Sequence, residues 1–448
     1  MASTDADTDR RAEAAALDAT DPLAPFRDRF VVDDPELIYL DGNSLGRLPI
    51  ATRQRLREAV DEWGGDLIRG WHRWITLAHE AGDALTSDAL TGGVSRAGVS
   101  QAGDAPTGDA PTGGVLEADP GEVIVADSTS VNLYKLAAAA LDARPDRRVI
   151  VTDDDNFPTD RYILAGVAEQ RGYELRLIET DIDDGVNTDR VRAALDERTA
   201  LVSLSHVAYR SGALADMAAI TAAAHQAGAL TLWDLSHSVG SVPVPLRSAG
   251  VDLAVGCTYK YLNAGPGAPA FLYVRSELQA QLRQPIWGWF GQRDQFAMGP
   301  AYDPVDGIER FLVGTAPVLA TYAVLEGARL SAEAGIEEIA AKGRRLTAYA
   351  IELADAWLAP LGFTLATPRD PQRRGAHVTL HHPQAWPACQ ALIAAGVVPD
   401  FRDPDRLRLG LPPLYTRFVD VHDGLARLRD LVAAGDHLAY PAERVRVT

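Results

Sequence analysis

Lysine is nearly missing from this chain. Lys135, Lys260 and Lys342 are the only three among forty-three Lys and Arg residues together. The sequence uses Arg almost everywhere, yet it keeps Lys260 at a strand end between two tyrosines; Arg cannot form a Schiff base, and Lys can. Cysteine is as scarce: Cys257 and Cys389 are the only two, which excludes a disulfide framework. Positive charge is in deficit, with a formal net charge of −19. That argues against nucleic acid as a partner, which calls for a basic footprint, and it favours solubility. No apolar run approaches the roughly eighteen residues of a membrane span. The stretch MASTDADTDRRAEAAALDAT lacks a basic segment followed by an apolar one, so it does not read as a secretory signal. A cytoplasmic protein with no membrane partner is expected.

What the chain does have is length and ordinary hydrophobic content. Its 448 residues exceed one simple core, and 47% hydrophobic residues are usual for a soluble globular protein. Two closely packed domains are expected. Residues 1–30 read as a mobile tail: the first twenty or so are polar and Ala/Asp-rich without a strong period, and RRAEAAAL leaves room for a frayed helix. Residues 31–75 read as a segment joining the smaller domain, 76–323 as the large domain, and 324–448 as a smaller α+β domain opened by one long Ala/Glu/Arg helix. Within the large domain, DAPTG occurs twice in tandem and aromatics are lacking. About 88–117 therefore reads as an inserted flexible loop.

Elsewhere strands and helices alternate. EVIVAD, RVIVTD, YELRLIE, ALVSLSHVAY, ALTLWD and VDLAVGC are separated by helical stretches, several of them ended by glycine. This is the pattern of an α/β fold with a mostly parallel sheet covered on both faces. Chemistry then collects at the carboxyl ends of the strands. Ser205, His206, Asp234 and Lys260 sit at such ends.

The chain is organised around VDLAVGCTYKYLNAGPGAPAFLYV, in which Lys260 stands between two tyrosines after a strand. An earlier strand ends at Asp234, and His237 follows shortly. An acid at one strand end and a lysine at a later one are expected for pyridoxal 5'-phosphate. Lysine condenses with the aldehyde, and the carboxylate keeps the pyridine nitrogen protonated so that the ring accepts electrons. The STS after EVIVAD opens a helix. It serves equally as a plain N-cap or as an anion site built from hydroxyls and free N–H groups; the downstream lysine favours the anion site.

TYKYLNAGPGAPAFLYV, DLSHSVGSVPV and YLDGNSLGRLP, together with GWFGQRDQF and RLRLGLPPLY, closely resemble kynureninase. This is a pyridoxal phosphate enzyme of aminotransferase fold type I, class V-like. The similarity runs from about Asp33 to about Leu431. The resemblance implies a large domain with a mostly parallel sheet, a smaller α+β domain, and a homodimer with shared active sites. It implies hydrolysis of L-kynurenine, or of 3-hydroxy-L-kynurenine, to anthranilate or 3-hydroxyanthranilate and L-alanine, within tryptophan and kynurenine metabolism.

The resemblance also assigns residues. Thr129 and Ser130 fall on the cofactor phosphate, Phe157 on the pyridine face and Asp160 near it, and Ser205 is favoured over His206. Lys260 carries the cofactor and is the base at Cα, Asp234 sustains the electron sink, Tyr259 delivers protons, and His237 positions the ring or Asp234. Asn43, with Ser44, and Trp71 fall on the substrate. Trp289 and Thr315 reach the neighbouring subunit's cofactor. Trp71 and Trp289 shape the aryl pocket. Arg408 grips the substrate α-carboxylate in a bidentate pair, with Arg406 sharing that ambiguity. His377, His381 and His382 lack a companion ligand set, so no metal centre is expected. A related lyase, such as a cysteine desulfurase or selenocysteine lyase, would need a cysteine on a mobile loop. Cys257 at a strand end and Cys389 in an expected helix do not suit it. A non-catalytic pyridoxal phosphate-binding protein would lose the lysine or gain a DNA-binding segment, and neither is seen.

Overall fold

The computed structural model describes residues 2–86 and 114–442. Among the described residues thirteen strands fall into three sheets. In chain order the first eight are β1 (Ile38–Tyr39), β2 (Val123–Val125), β3 (Val149–Asp153), β4 (Glu174–Ile178), β5 (Thr199–Ser205), β6 (Leu230–Asp234), β7 (Leu253–Gly256) and β8 (Phe271–Val274). The rest are β9 (Thr364–Leu365), β10 (His377–His381), β11 (Val397–Val398), β12 (Asp400–Arg402) and β13 (Arg406–Gly410).

The large sheet has the order β2-β8-β7-β6-β5-β3-β4. Neighbours from β7 to β4 run parallel, and β8 is antiparallel to both β7 and β2. Every residue of β2, β3, β6, β7 and β8 is buried, as near-continuous apolar runs require when both faces are covered. The chain leaves β3 toward β4 on one side and later returns to β5 on the other. The order therefore reverses between β3 and β5, and a crevice opens beyond their carboxyl ends. The Ala-rich helix Thr129–Asp142 packs close beneath the sheet, with Leu133, Leu136 and Ala137 fully buried.

The smaller body is an antiparallel sheet of order β12-β13-β10-β9, packed against the helices Ile336–Leu353, Ala385–Ala394 and Phe418–Ala434. The entry strand β1 joins it by pairing in parallel with β11. RLRLG, which reads as an edge strand, is an inner one: β13 pairs with β12 on one side and β10 on the other, and all five residues are buried.

Three other expectations are corrected. The polar first residues are not a loose tail: Ala2–Ala19 is a helix docked on the smaller body. Arg11 pairs with Asp423 through two bonds of 2.9 and 3.0 Å. The Asp18 carboxylate caps the helix Phe418–Ala434, accepting from the Phe418 and Val419 amides at 2.7 and 3.1 Å. These anchors are polar and specific, so they leave no apolar period. The long C-terminal helix is two, Val318–Ala334 and Ile336–Leu353. They part at Gly335, whose φ of +77° suits glycine. Val324, Leu325 and Ala328 pack in the large core and Leu346 in the small one, so the change of core falls at Gly335 rather than at 324. The repeat-bearing insertion lies outside the described residues except at its end. There Leu116 is buried and bridges Thr86, so the two ends of the segment meet.

Candidate active site

Lys260 stands in the turn that follows β7. Thr258 Oγ1 donates to Pro269 O at 2.7 Å, and Asn263 N to Lys260 O at 3.0 Å, closing that turn. The entry segment YLDGNSLGRLP lies directly against it. Gly46 N donates to Tyr259 O at 2.8 Å, and a Cβ at Gly46 would come within 2.3 Å of Lys260 O. Only glycine permits that approach.

One strand over, β6 ends at Asp234; next to it β5 ends at Ser205, and the two residues are register partners. Asp160 enters from the first turn of the helix Pro158–Arg171. Together they border a cavity of about 490 Å³. Asp160, Ser205, Asp234, His237, Tyr259 and Lys260 line it, with Phe157 at its mouth. Thr129 and Ser130 line it as well, and Ser128 takes the capping role by accepting from Val131 N at 3.3 Å. The ambiguity in STS is thereby divided: the first serine caps, and the next two hydroxyls are left to the cavity.

The Lys260 Nζ lies 3.2 Å from His237 Nε2. Burial, and then Lys260 itself, hold the His237 imidazole well below its ordinary range, so it is neutral. Burial also lowers the Lys260 ammonium, against the opposing pull of Cys257 and Asp234. A lysine so shifted is closer to the free amine that attacks a carbonyl. Burial, and next the Asp234 carboxyl, push Asp160 well above the carboxylate range. Asp160 Oδ2 has no partner. Two facing buried carboxyls and an orphaned oxygen suit a protonated ring nitrogen between them. Cys257 and burial raise the Tyr259 hydroxyl, which stays protonated at neutral pH.

Five assigned residues do not line this cavity. Asn43 is fully buried, and its amide oxygen accepts from Arg408 Nε at 2.7 Å and Nη2 at 3.2 Å. It holds the arginine rather than facing the cavity. Arg408 is buried between Asn43, Ser44, Asp400 and the Tyr209 carbonyl. Arg406 is committed elsewhere, to Asp183 through two bonds of 2.9 Å. Trp71 and Trp289 converge through Phe290, whose ring centroid lies 6.3 Å from the first and 4.8 Å from the second. Trp289 and Thr315 are exposed, Trp71 is half-buried and Phe290 is buried. His206 points into the core against Trp233, with centroids 6.1 Å apart. His381 bonds to Thr364 and Asp405, and His382 stacks on Phe363.

Some site residues escaped the sequence reading. Asn156 Oδ1 accepts from Ser205 Oγ at 2.7 Å and from Phe157 N at 2.8 Å, fixing the Phe157 loop to β5. Its place directly before Phe157 was the available signal. His377, 5.8 Å from His237 between ring centroids, carries the small body to the site. Asp127, Ser236 and residues 267–269 also line the cavity; the Gly/Pro loop was visible as a turn, but not what it faced.

Comparison with known proteins agrees with this geometry. The kynureninase C-terminal domain matches residues 339–428, and the DegT/DnrJ/EryC1/StrS aminotransferase family matches residues 121–244. Kynureninase of Pseudomonas fluorescens is 41% identical over 431 residues, 94% of this chain and 95% of that one. Kynureninase of Burkholderia pseudomallei (strain K96243) is 44% identical over the same shares. The chain belongs to the kynureninase family. Among solved structures, a cysteine desulfurase from Thermococcus onnurineus superposes with a TM-score of 0.73 at 19% identity, over 89% of this chain and 95% of that one. One from Escherichia coli gives 0.73 at 16% identity, over 92% and 98%. At such identities the likeness is of fold alone, and the fold is the type I fold of pyridoxal phosphate enzymes. The residues present fit that cofactor: an amine for the aldehyde, carboxyls for the ring nitrogen, and hydroxyls at a helix N-terminus for the phosphate. Among the described residues no helix is long and apolar enough to cross a membrane.

Proposed function

We propose that this chain hydrolyses L-kynurenine at its Cβ–Cγ bond, releasing anthranilate and L-alanine, with pyridoxal phosphate carried on Lys260. 3-Hydroxy-L-kynurenine is the alternative substrate. The observation that supports this most is the convergence of Lys260, the Asp160–Asp234 pair and the 128–130 turn on one cavity, in a member of the kynureninase family. Bound cofactor supplies an electron sink for charge that develops on the substrate's carbon chain.

The protein's own groups do the rest. Lys260, whose ammonium is disfavoured by burial, takes the proton from Cα. Asp234 keeps the ring nitrogen protonated. His237, neutral, accepts from the lysine amine and aims it. Tyr259, protonated and beside Lys260, returns a proton to the alanine fragment. Arg408, oriented by Asn43 and Asp400, receives the substrate carboxylate from the small-body side.

The aryl pocket is completed by a second subunit. Trp289 is 43% exposed, with Trp287, Phe296 and Met298 exposed beside it. Such a cluster marks an interaction surface, and we assign it to a homodimer with shared sites in the cytoplasm. A cysteine desulfurase is disfavoured because both cysteines are buried.

The test is a coupled assay of alanine release from L-kynurenine with pyridoxal phosphate supplied. Wild type is expected to turn over and Lys260→Ala to be inactive. Release of alanine from cysteine but not from kynurenine would overturn the assignment.

A further inference from the structure

Lys135 has no part in the chemistry above, yet it is fully buried beside the site. It sits on the helix Thr129–Asp142, and its Nζ donates to Asp127 Oδ2 at 2.6 Å and to Phe311 O at 2.7 Å. Both partners matter to the anion end of the cavity. Asp127 lines it and directly precedes the 128–130 turn. Its backbone is left-handed, with φ of +49°, and its carbonyl accepts from Ala270 N at 2.8 Å. Phe311 closes the turn Ile308–Phe311, and the chain then passes Thr315 to Pro317, which also lines the cavity.

A carboxylate thus stands where a phosphate dianion is to bind. Unopposed, it would repel that dianion at short range in a partly dry site. A helix N-terminus attracts anions through its free N–H groups and dipole, and a neighbouring Asp would cancel much of that attraction. The ammonium removes the conflict. It also ties the anion turn to the 308–317 segment across the cavity's rim. Arg would not substitute: its larger planar fork has no room at a site with no exposed surface.

We propose that Lys135 is a positioning residue for the phosphate end of the cofactor: it neutralises Asp127 and fixes the left-handed turn that presents the helix N-terminus to the anion. This rests on the reading of the cavity as the pyridoxal phosphate site.

The test is a double-variant cycle of Lys135→Met, Asp127→Asn and the two combined. Asn is chosen because it tolerates the left-handed backbone. Two readouts need no activity: the affinity of the apoprotein for inorganic phosphate, from thermal shifts, and its affinity for pyridoxal phosphate, from absorbance. At low ionic strength Lys135→Met is expected to weaken both by about ten-fold, the effect of one unit charge at short range. The combined variant is expected to recover most of the loss. Pyridoxal without its phosphate is expected to bind wild type and Lys135→Met alike. An unchanged affinity in Lys135→Met, or a combined variant no better than it, would overturn the proposal. If Lys135→Met does not fold, Asp127→Asn decides: unchanged or tighter phosphate binding supports the role, and weaker binding refutes it. Failure of wild type to form a borohydride-stable adduct at Lys260 would overturn the cofactor reading itself. A normal wild-type adduct with unchanged Lys135→Met affinity would overturn only the role of Lys135.

Discussion

Lys260 Nζ and His237 Nε2 stand 3.2 Å apart, an amine and a neutral imidazole brought together from the ends of adjacent parallel strands. Among the described residues no acid is hydrogen-bonded or ion-paired to this amine, so the lysine is poised without being locked in an ion pair. The other two lysines are locked. Lys135 pairs with Asp127 and Lys342 with Asp21, each at 2.6 Å.

That contrast makes the first prediction sharp. Borohydride reduction of the cofactor-loaded protein should put the adduct on Lys260 alone, read by peptide mass spectrometry. Lys260→Arg should abolish it, because a guanidinium does not condense with the aldehyde. An adduct on Lys135 or Lys342 would contradict the site.

The second concerns pH. Burial pushes His206 down from 6.5 to about 3. Between those values the unfolded chain binds a proton that the folded protein refuses. Stability is therefore lost as pH falls from 6.5 toward 3. Asp153, raised to about 7 by burial, acts in the opposite sense, since its folded form holds the extra proton. The informative quantity is the difference between wild type and His206→Phe in urea denaturation. The variant should gain on wild type below pH 6.5, by at most about 1.4 kcal/mol per pH unit. An equal gap at pH 7.5 and pH 5 would count against it.

A third prediction tests the shared site. If Trp289 serves the partner subunit, a mixed dimer of Lys260→Ala and Trp289→Ala has one site with both lesions and one with neither. Co-expressed mixed dimers should recover up to half the wild-type activity per site, while each parent is inactive. Verified mixed dimers without rescue would place Trp289 in its own subunit's site.

The fourth concerns the insertion. Leu116 N donates to Leu85 O at 2.9 Å, so the segment leaves and re-enters the fold at one point. Replacing about Thr91 to Gly113 by a short linker should leave melting temperature and turnover nearly unchanged, because closure depends weakly on loop length. A large fall in kcat in a folded deletion would show that the segment works in catalysis.

Lys260, Asp234, His237 and Ser205 were legible from the sequence because their placement is local. Each ends or shortly follows a short apolar strand, and a parallel sheet sends the strands' carboxyl ends to the same edge. The 128–130 turn was legible for the same reason, as a strand–hydroxyl–helix junction. Asn43 against Arg408, Asp18 on the helix Phe418–Ala434, the inner position of β13 and the clamp of Lys135 on Asp127 and Phe311 were decided only by the tertiary structure. The break at Gly335 belongs with them, since an isolated glycine inside a helical pattern does not announce whether the helix continues. Hydrophobic periodicity records which face of an element is buried, because many weak contacts must repeat along it. A buried ion pair or a single amide–guanidinium contact is one strong interaction between positions far apart in the chain. It leaves no period, and only folding shows which of forty-three cations and sixty-two acids meet.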